Sequence, residues 1–504
     1  MKVLFFHRNA EWIGIEYLSS ILKKAGHETE LIFDPGAGDV EYKFRFIEKI
    51  FDVTEKMIKM AKAYKPDLIA FSCLTNLYPW VNKMSRLIKE VMDVPIIVGG
   101  LHPTLLPEYV IKNPYIDMIC IGEGEEALLE LVESMQSGCI NYSTKNIWFK
   151  RNGEVIRNPV RPLIQNLDSL PFPDKSLFRK YGCFSERIYV MTTRGCPYQC
   201  SYCYNSYYKK LLNFPGFSYL RRRSVRNVID ELKFFKSQYP IREVFFCDDI
   251  FTIDDKWIKN FCIIYKKEIN LPFKAFVHPK TVKREIMKLL KDAGCIYVDI
   301  GIESGSEEVR RKILKRHMSN QDIINAAKIL KEVGIKFCTL NMVGLPTETA
   351  QQMRETYELN KIIKPDGAIV SIFYPYPKTE LADFCLENKL IAPEEYEKIC
   401  NGEGGGYKDS CIIIKNTDLK EAKRQLILIP FLTRTPAFLH PIIKALPINN
   451  FTRILSIPFL SIPRNNYIRT KESLTMFMKS NFLYFFSKKF PFNISDKEQS
   501  CATK

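Results

Sequence analysis

Residues 423–490 hold a single acidic side chain, Glu472, against eleven Lys and Arg. The uncharged runs there, residues 454–463 among them, fall short of the roughly 20 apolar residues that cross a bilayer, which excludes a transmembrane span. No recognised nucleic-acid module accompanies the net charge of +17, so nucleic acid is not an expected partner. The amino terminus, Met1-Lys-Val-Leu-Phe-Phe6, reads as a strand rather than a signal peptide, so the fifteen cysteines do not imply a secreted disulfide framework. A reducing cytoplasm is the expected location. Most of these cysteines, such as Cys73, Cys120, Cys295 and Cys338, sit among apolar neighbours and read as small core residues. A chain of 504 residues should form two or three domains.

Residues 1–140 alternate short apolar runs, at 3–6, 29–33, 67–71, 96–98 and 118–121, with helical stretches. Such runs fit parallel strands covered on both faces in a doubly wound, Rossmann-like α/β sheet. Ligands of these sheets sit at the carboxyl ends of the strands. Three unusual loops gather there: Ser72-Cys-Leu-Thr75, Gly99-Gly-Leu-His-Pro-Thr104 and Gly122-Glu-Gly-Glu-Glu126. Taken singly they also fit strand-to-helix turns, with Thr104 and Glu125 as caps. Residues 141–185 read as a linker with a hairpin at Arg151-Asn-Gly153 and a proline-rich stretch after Leu170.

Cys196, Cys200 and Cys203 form a C-x3-C-x2-C cluster after a strand beginning at Ile188 and a turn at Arg194-Gly195. Thiolates favour zinc or iron–sulfur clusters, and a structural zinc site needs a fourth Cys or His close by. Tyr204-Asn-Ser-Tyr-Tyr208 supplies none. A 4Fe-4S cluster takes one cysteine per iron, so three cysteines leave one iron open to a ligand. Over residues 186–390, six strand-then-helix units begin at Ile188, Glu243, Phe273, Tyr297, Lys336 and Ala368, which predicts a partial (β/α)6 TIM-type barrel with its site at the strands' carboxyl ends. Acids stand at those ends: Asp248 and Asp249, Glu303, and Glu348 after Gly344.

Thr193-Arg-Gly-Cys-Pro-Tyr-Gln-Cys-Ser-Tyr-Cys203 resembles the signature of the radical S-adenosyl-L-methionine (SAM) superfamily, including the aromatic Tyr202. The resemblance implies that the open iron chelates SAM and that an electron cleaves it to methionine and a 5'-deoxyadenosyl radical. It assigns the region of Asp248 and Asp249 to the methionine end of SAM, Glu303 to the ribose or ammonium, and Gly344 to adenine. The sequence departs from many relatives at Phe276-Val-His-Pro279 and Pro377-Lys-Thr-Glu380, which puts substrate identity in question.

The first domain resembles the cobalamin-binding domain of one large radical SAM subgroup, most closely in residues 95–108 and in Gly122-Glu-Gly-Glu125. The resemblance implies that Ser72, Thr75, Gly99, Gly100, His102, Thr104, Gly122 and Glu123 contribute to a cobalamin site. His102 reads either as a ligand contact or as a loop histidine hydrogen-bonded to backbone. The D-x-H-x-x-G motif that gives cobalt a histidine is missing, and His7 and His27 have other surroundings, so cobalamin would bind without a protein histidine on cobalt.

The expected activity is cobalamin-dependent methyl transfer to an unactivated carbon of a small metabolite or lipid. In the implied mechanism one SAM methylates cob(I)alamin, a second yields the radical that abstracts a substrate hydrogen, and the carbon radical takes the methyl group. Radical cyclisation or rearrangement is the alternative within the enzyme class, and a cobalamin or iron–sulfur sensor is the alternative outside it. Low-potential electrons point to an acidic flavodoxin or ferredoxin as partner of this basic chain. Residues 391–504 read as a basic, mainly helical extension, either a solvated cap on the barrel or a peripheral membrane-surface contact.

Overall fold

The computed structural model describes residues 1–36, 52–183, 186–403, 414–415, 417–432 and 435–445, with 475–476, 478–479 and 484 near the carboxyl end. Glycines 404–406 and residues 454–463 lie outside the described residues. The chain divides into two compact units, one built from 1–161 and 170–185 with the described residues after 469, the other from 162–169 and the described part of 186–468.

In the first unit β1 (Lys2–Arg8), β2 (Glu28–Asp34), β3 (Leu68–Ser72), β4 (Ile96–Gly99) and β5 (Met118–Cys120) are all parallel. The five central residues of β1 are buried, as a strand with helices on both faces requires. The hairpin forms as the Asn-Gly pair predicts, with positive φ of 53° and 81° at Asn152 and Gly153. Its strands β6 (Ile147–Arg151) and β7 (Glu154–Ile156) do not stand apart. β6 pairs antiparallel with β5, giving the order β2-β1-β3-β4-β5-β6-β7. The stretch after Leu170 also packs on this unit: Lys175 donates to Glu11 and Glu16, each at 2.7 Å, with all three side chains almost wholly buried.

The second unit is a six-stranded parallel sheet in the order β15-β14-β13-β12-β11-β8. Its strands are β8 (Arg187–Val190), β11 (Glu243–Phe246), β12 (Phe273–Val277), β13 (Cys295–Glu303), β14 (Lys336–Val343) and β15 (Gly367–Ile372). They begin at or within two residues of the expected positions. Helices follow under side-chain caps: Asp254 accepts from Lys256 and Trp257, and Ser319 and Thr349 each close a capping box. Phe246 and Phe251 stack at 4.6 Å over Phe261 and Phe273, a core that fixes where β11 ends. A two-stranded ribbon, β9 (Thr193–Arg194) with β10 (Arg221–Arg222), leads into the cysteine loop. Beyond the barrel the described residues are mainly helical, and Ala422, Leu428 and Ile429 of helix Leu419–Leu432 pack on Val343, Val370 and Ile372.

Candidate active site

The cysteine loop is held from both ends. After β8, Thr192 and Thr193 turn their amides and hydroxyls onto Asp248 at the end of β11. Thr192 N and Oγ1 donate at 2.7 and 3.0 Å, Thr193 Oγ1 at 2.7 Å, and Thr193 N also donates. Both carboxylate oxygens of Asp248 are thereby used within the fold. At Gly195 φ is 89°, and a Cβ would collide with the carbonyl oxygen of Tyr219, so glycine is required where the loop passes the residues leading into β10. Ser201 ties the far end, donating from N to Leu314 O at 3.1 Å and from Oγ to Ile313 O at 2.5 Å.

Each cysteine has a donor or a cation beside it. Lys209 Nζ donates to the carbonyls of Pro197 (2.6 Å) and Tyr198 (3.1 Å) and offsets part of the burial that pushes the Cys196 thiol up to about 11. Arg316 Nη1 donates to Cys200 Sγ at 3.8 Å. Asn205 Nδ2 donates to Cys203 Sγ at 3.6 Å and to Asp249 Oδ2 at 3.1 Å, while Tyr219 OH donates to Asn205 Oδ1 at 2.5 Å. Burial pushes the Cys203 thiol up to about 12. A bound metal cluster reverses that penalty, because its charge favours thiolate. No group of three or more His, Cys, Asp or Glu among the described residues is drawn together around a single ion. A cubane asks for something different, one sulfur on each of several irons, and the soft three-thiol set fits it.

Around this loop, Asp249 keeps an exposed surface, although burial of its surroundings raises its carboxyl and Asn205 pulls it back. Glu303 ends β13 at φ 65°, beyond a register shift after Gly301, a left-handed conformation that costs a non-glycine residue about 1–2 kcal/mol. Burial raises its carboxyl, and Arg316 and the Tyr202 hydroxyl draw it down again. Arg316 also donates to Gly301 O at 2.6 Å, while Tyr202 packs against a buried cluster that includes Val309, Leu314 and Tyr374. Gly344 follows β14, and the adjoining Glu348 accepts from Leu345 N at 3.1 Å, with burial pushing its carboxyl up to about 8. The departing segment 276–279 contributes His278, whose ring stacks on Tyr198 at 4.4 Å. Its Nδ1 accepts from Lys280 N at 3.2 Å, so the neutral ring carries its proton on Nε2. Sequence reasoning missed Arg316 and Asn205 altogether.

In the first unit, the eight loop residues meet at the ends of β3, β4 and β5 but play two parts. His102, Thr75 and Thr104 are buried. His102 Nδ1 contacts Thr75 Oγ1 at 3.3 Å, its ring lies 4.4 Å from that of Tyr78, and burial brings its pKa down to about 3. Thr104 caps nothing. Its hydroxyl donates to Gly100 O at 2.8 Å and accepts from Gly122 N at 2.9 Å, joining two loops. Ser72, Gly99, Gly100, Gly122 and Glu123 keep accessible surface. A Cβ on Gly100, where φ is 99°, would stand 2.9 Å from Cys73 N, so glycine is required where this loop packs on the end of β3. His7 is buried against Trp12 and Phe178, and His27 meets the terminal amine at 3.4 Å, so both are engaged within the fold.

A glycine-backed parallel sheet and a barrel with an open cysteine triad after its first strand define a radical SAM enzyme of the cobalamin type. Residues 190–359 match the model of the radical SAM superfamily and residues 6–132 that of the B12 binding domain. The chain is a radical SAM superfamily protein with a B12-binding domain. An uncharacterized methyltransferase of Pyrococcus horikoshii is 29% identical over 77% of this chain and 81% of its own length. The anaerobic magnesium-protoporphyrin IX monomethyl ester cyclase of Rubrivivax gelatinosus is 26% identical over 76% and 69%. In fold the chain is similar to the radical S-adenosylmethionine methyltransferase TsrM from Kitasatospora setae, with a TM-score of 0.66, 15% identity, and 95% and 99% of the two chains covered.

Proposed function

We propose that this protein transfers a methyl group to an unactivated carbon of a small metabolite or lipid. The observation that carries the reading is the presence in one chain of a B12-binding domain and a radical SAM domain whose three cysteines follow the first barrel strand. When bound, the 4Fe-4S cluster with SAM would supply a 5'-deoxyadenosyl radical and cobalamin a methyl group. Cys196, Cys200 and Cys203 would hold three irons and leave the fourth for SAM. Tyr202, Asp249, Glu303 and Gly344 would bind SAM, while Asp248 would shape the loop. Ser72, Gly99, Gly100, Gly122 and Glu123 would face cobalamin, with His102, Thr75 and Thr104 holding the rim beneath them. The cobalamin-binding part would be 1–140 extended by the hairpin and by the stretch around Lys175, which join its unit and so correct the reading of 141–185 as a free linker; the barrel would be 186–390 and the basic extension 391–504.

The net charge of +17 supports an acidic flavodoxin or ferredoxin as electron donor in a reducing cytoplasm. No described helix is long and apolar enough to cross a membrane, and the basic carboxyl-terminal sequence supports contact with an anionic membrane surface. Radical cyclisation is the second reading, favoured by the similarity to the Rubrivivax cyclase.

The test is anaerobic reconstitution with iron, sulfide, cobalamin, SAM and a low-potential reductant, followed by mass spectrometry. 5'-Deoxyadenosine together with cobalamin-dependent S-adenosylhomocysteine is the expected result, and Cys200→Ala should give neither. Deoxyadenosine alone would move the assignment to cyclisation or rearrangement. Absence of both would leave a non-catalytic module.

A further inference from the structure

Two of the three cysteine sulfurs carry a side-chain donor of their own, and the two donors differ in charge. Arg316 reaches Cys200 from the segment after β13, 116 positions along the chain. It is fixed there by Gly301 O at 2.6 Å and by the neighbouring Glu303 and Tyr202. A guanidinium is charged at any physiological pH, so Arg316 is a cationic donor. Asn205 reaches Cys203 as a neutral amide whose orientation is decided by its other partners. A carboxylate accepts, so the NH2 group must face Asp249, and the carbonyl oxygen takes the Tyr219 hydroxyl. That leaves the amide hydrogens to be shared between Asp249 and Cys203 Sγ.

We propose that Arg316 and Asn205 are positioning residues that raise the reduction potential of the cluster by donating to the sulfurs of Cys200 and Cys203. The inference rests on the reading that these cysteines hold a 4Fe-4S cluster. Reduction adds one electron from an external low-potential donor and makes or breaks no bond to the protein. The added negative charge is shared with the cysteinyl sulfurs, so a donor aimed at a sulfur favours the reduced state, and hydrogen bonds to sulfur are among the factors that set such potentials. The charged donor should count for more, since charge-assisted hydrogen bonds are about twice as strong as neutral ones. The contacts at 3.6 and 3.8 Å are long for nitrogen to oxygen but suit the larger sulfur atom.

The test is a redox titration of the reconstituted full-length protein without SAM, using dithionite and mediators and reading the reduced cluster by electron paramagnetic resonance. Working without SAM separates this role from any contact of Arg316 with the SAM carboxylate. Arg316→Gln should make the cluster about tenfold harder to reduce, a shift of about 59 mV for one electron. Asn205→Ala should shift the equilibrium about threefold in the same direction, half the free energy. Arg316→Lys, which keeps the charge but loses the planar fork, should fall between Arg316→Gln and wild type. The proposal is overturned if variants with a full complement of iron titrate with the wild type. Should Arg316→Gln fail to hold iron, Arg316→Lys and Asn205→Ala decide by the same criterion. Wild-type protein that assembles no cluster would overturn the underlying reading instead, an outcome visible in the iron analysis before any potential is measured.

Discussion

Gly195 faces the carbonyl oxygen of Tyr219 so closely that no side chain fits between them. The contact joins the start of the cysteine loop to the residues that lead into β10, so its loss should be felt at the cluster first. Gly195→Ala must pay about 1–2 kcal/mol for a left-handed backbone and also push β10 away. Iron content after reconstitution should fall to a small fraction of wild type, while far-ultraviolet circular dichroism changes little.

Asp248 separates a shaping role from a ligand-binding one. Asp248→Asn keeps an acceptor for the Thr192 and Thr193 amides and a donor for a threonine hydroxyl, so it should load iron and bind SAM nearly as wild type does. Asp248→Ala orphans two buried N–H groups, at about 1–3 kcal/mol each, and should lower both the denaturation midpoint and the iron content. Calorimetric titration with SAM checks the point. A large affinity loss in Asp248→Asn with full iron would place the carboxylate on SAM itself.

Lys175 lies between Glu11 and Glu16 with its ammonium sealed from water. Removing it leaves two buried carboxylates without a counter-charge, and Lys175→Met should destabilise the first unit by about 3–5 kcal/mol in urea denaturation. Replacing all three by apolar residues of similar volume should recover much of that loss, because the burial cost of the charges disappears with them.

Glu348 gives a pH dependence of defined sign. Burial raises its carboxyl from the ordinary 4.5 to about 8, so the folded state favours the neutral acid. Its contribution to stability is whole below 4.5 and is lost as pH rises through about 8, with a slope of up to about 1.4 kcal/mol per pH unit. Glu348→Gln, which has no proton to lose, should match wild type near pH 5 and exceed it near pH 9. Thermal midpoints at the two pH values measure the difference.

What could be read from the sequence was local. Six barrel strands were legible because each carries an apolar run followed by a helical stretch, four of those helices opening on a side-chain cap at Asp254, Ser319, Thr349 or Thr379. The cysteine triad was legible because its spacing lies within eight residues. Arg316 was not, since only the irregular end of β13 and the chain beyond it bring a residue so distant in sequence to Cys200. Asn205 stands two positions after Cys203 and was not legible, because an amide signals nothing until Tyr219 and Asp249 orient it. Asp248 reads as an acid at a strand end, but nothing linear indicates that two threonines beyond the end of β8 occupy it. The Asn152–Gly153 turn predicted a hairpin, whereas its pairing with β5 depends on tertiary packing.

Thr104 lends its one hydroxyl to two loops at once, accepting from Gly122 N while donating to Gly100 O. The two loops are therefore coupled, and neither can swing outward without breaking a bond to the other. A rim built in this way spends little conformational entropy when a ligand arrives, so more of the contact energy is left as affinity. Thr104→Val would keep the shape and remove the coupling, turning a preformed seat into one that each incoming ligand must assemble for itself.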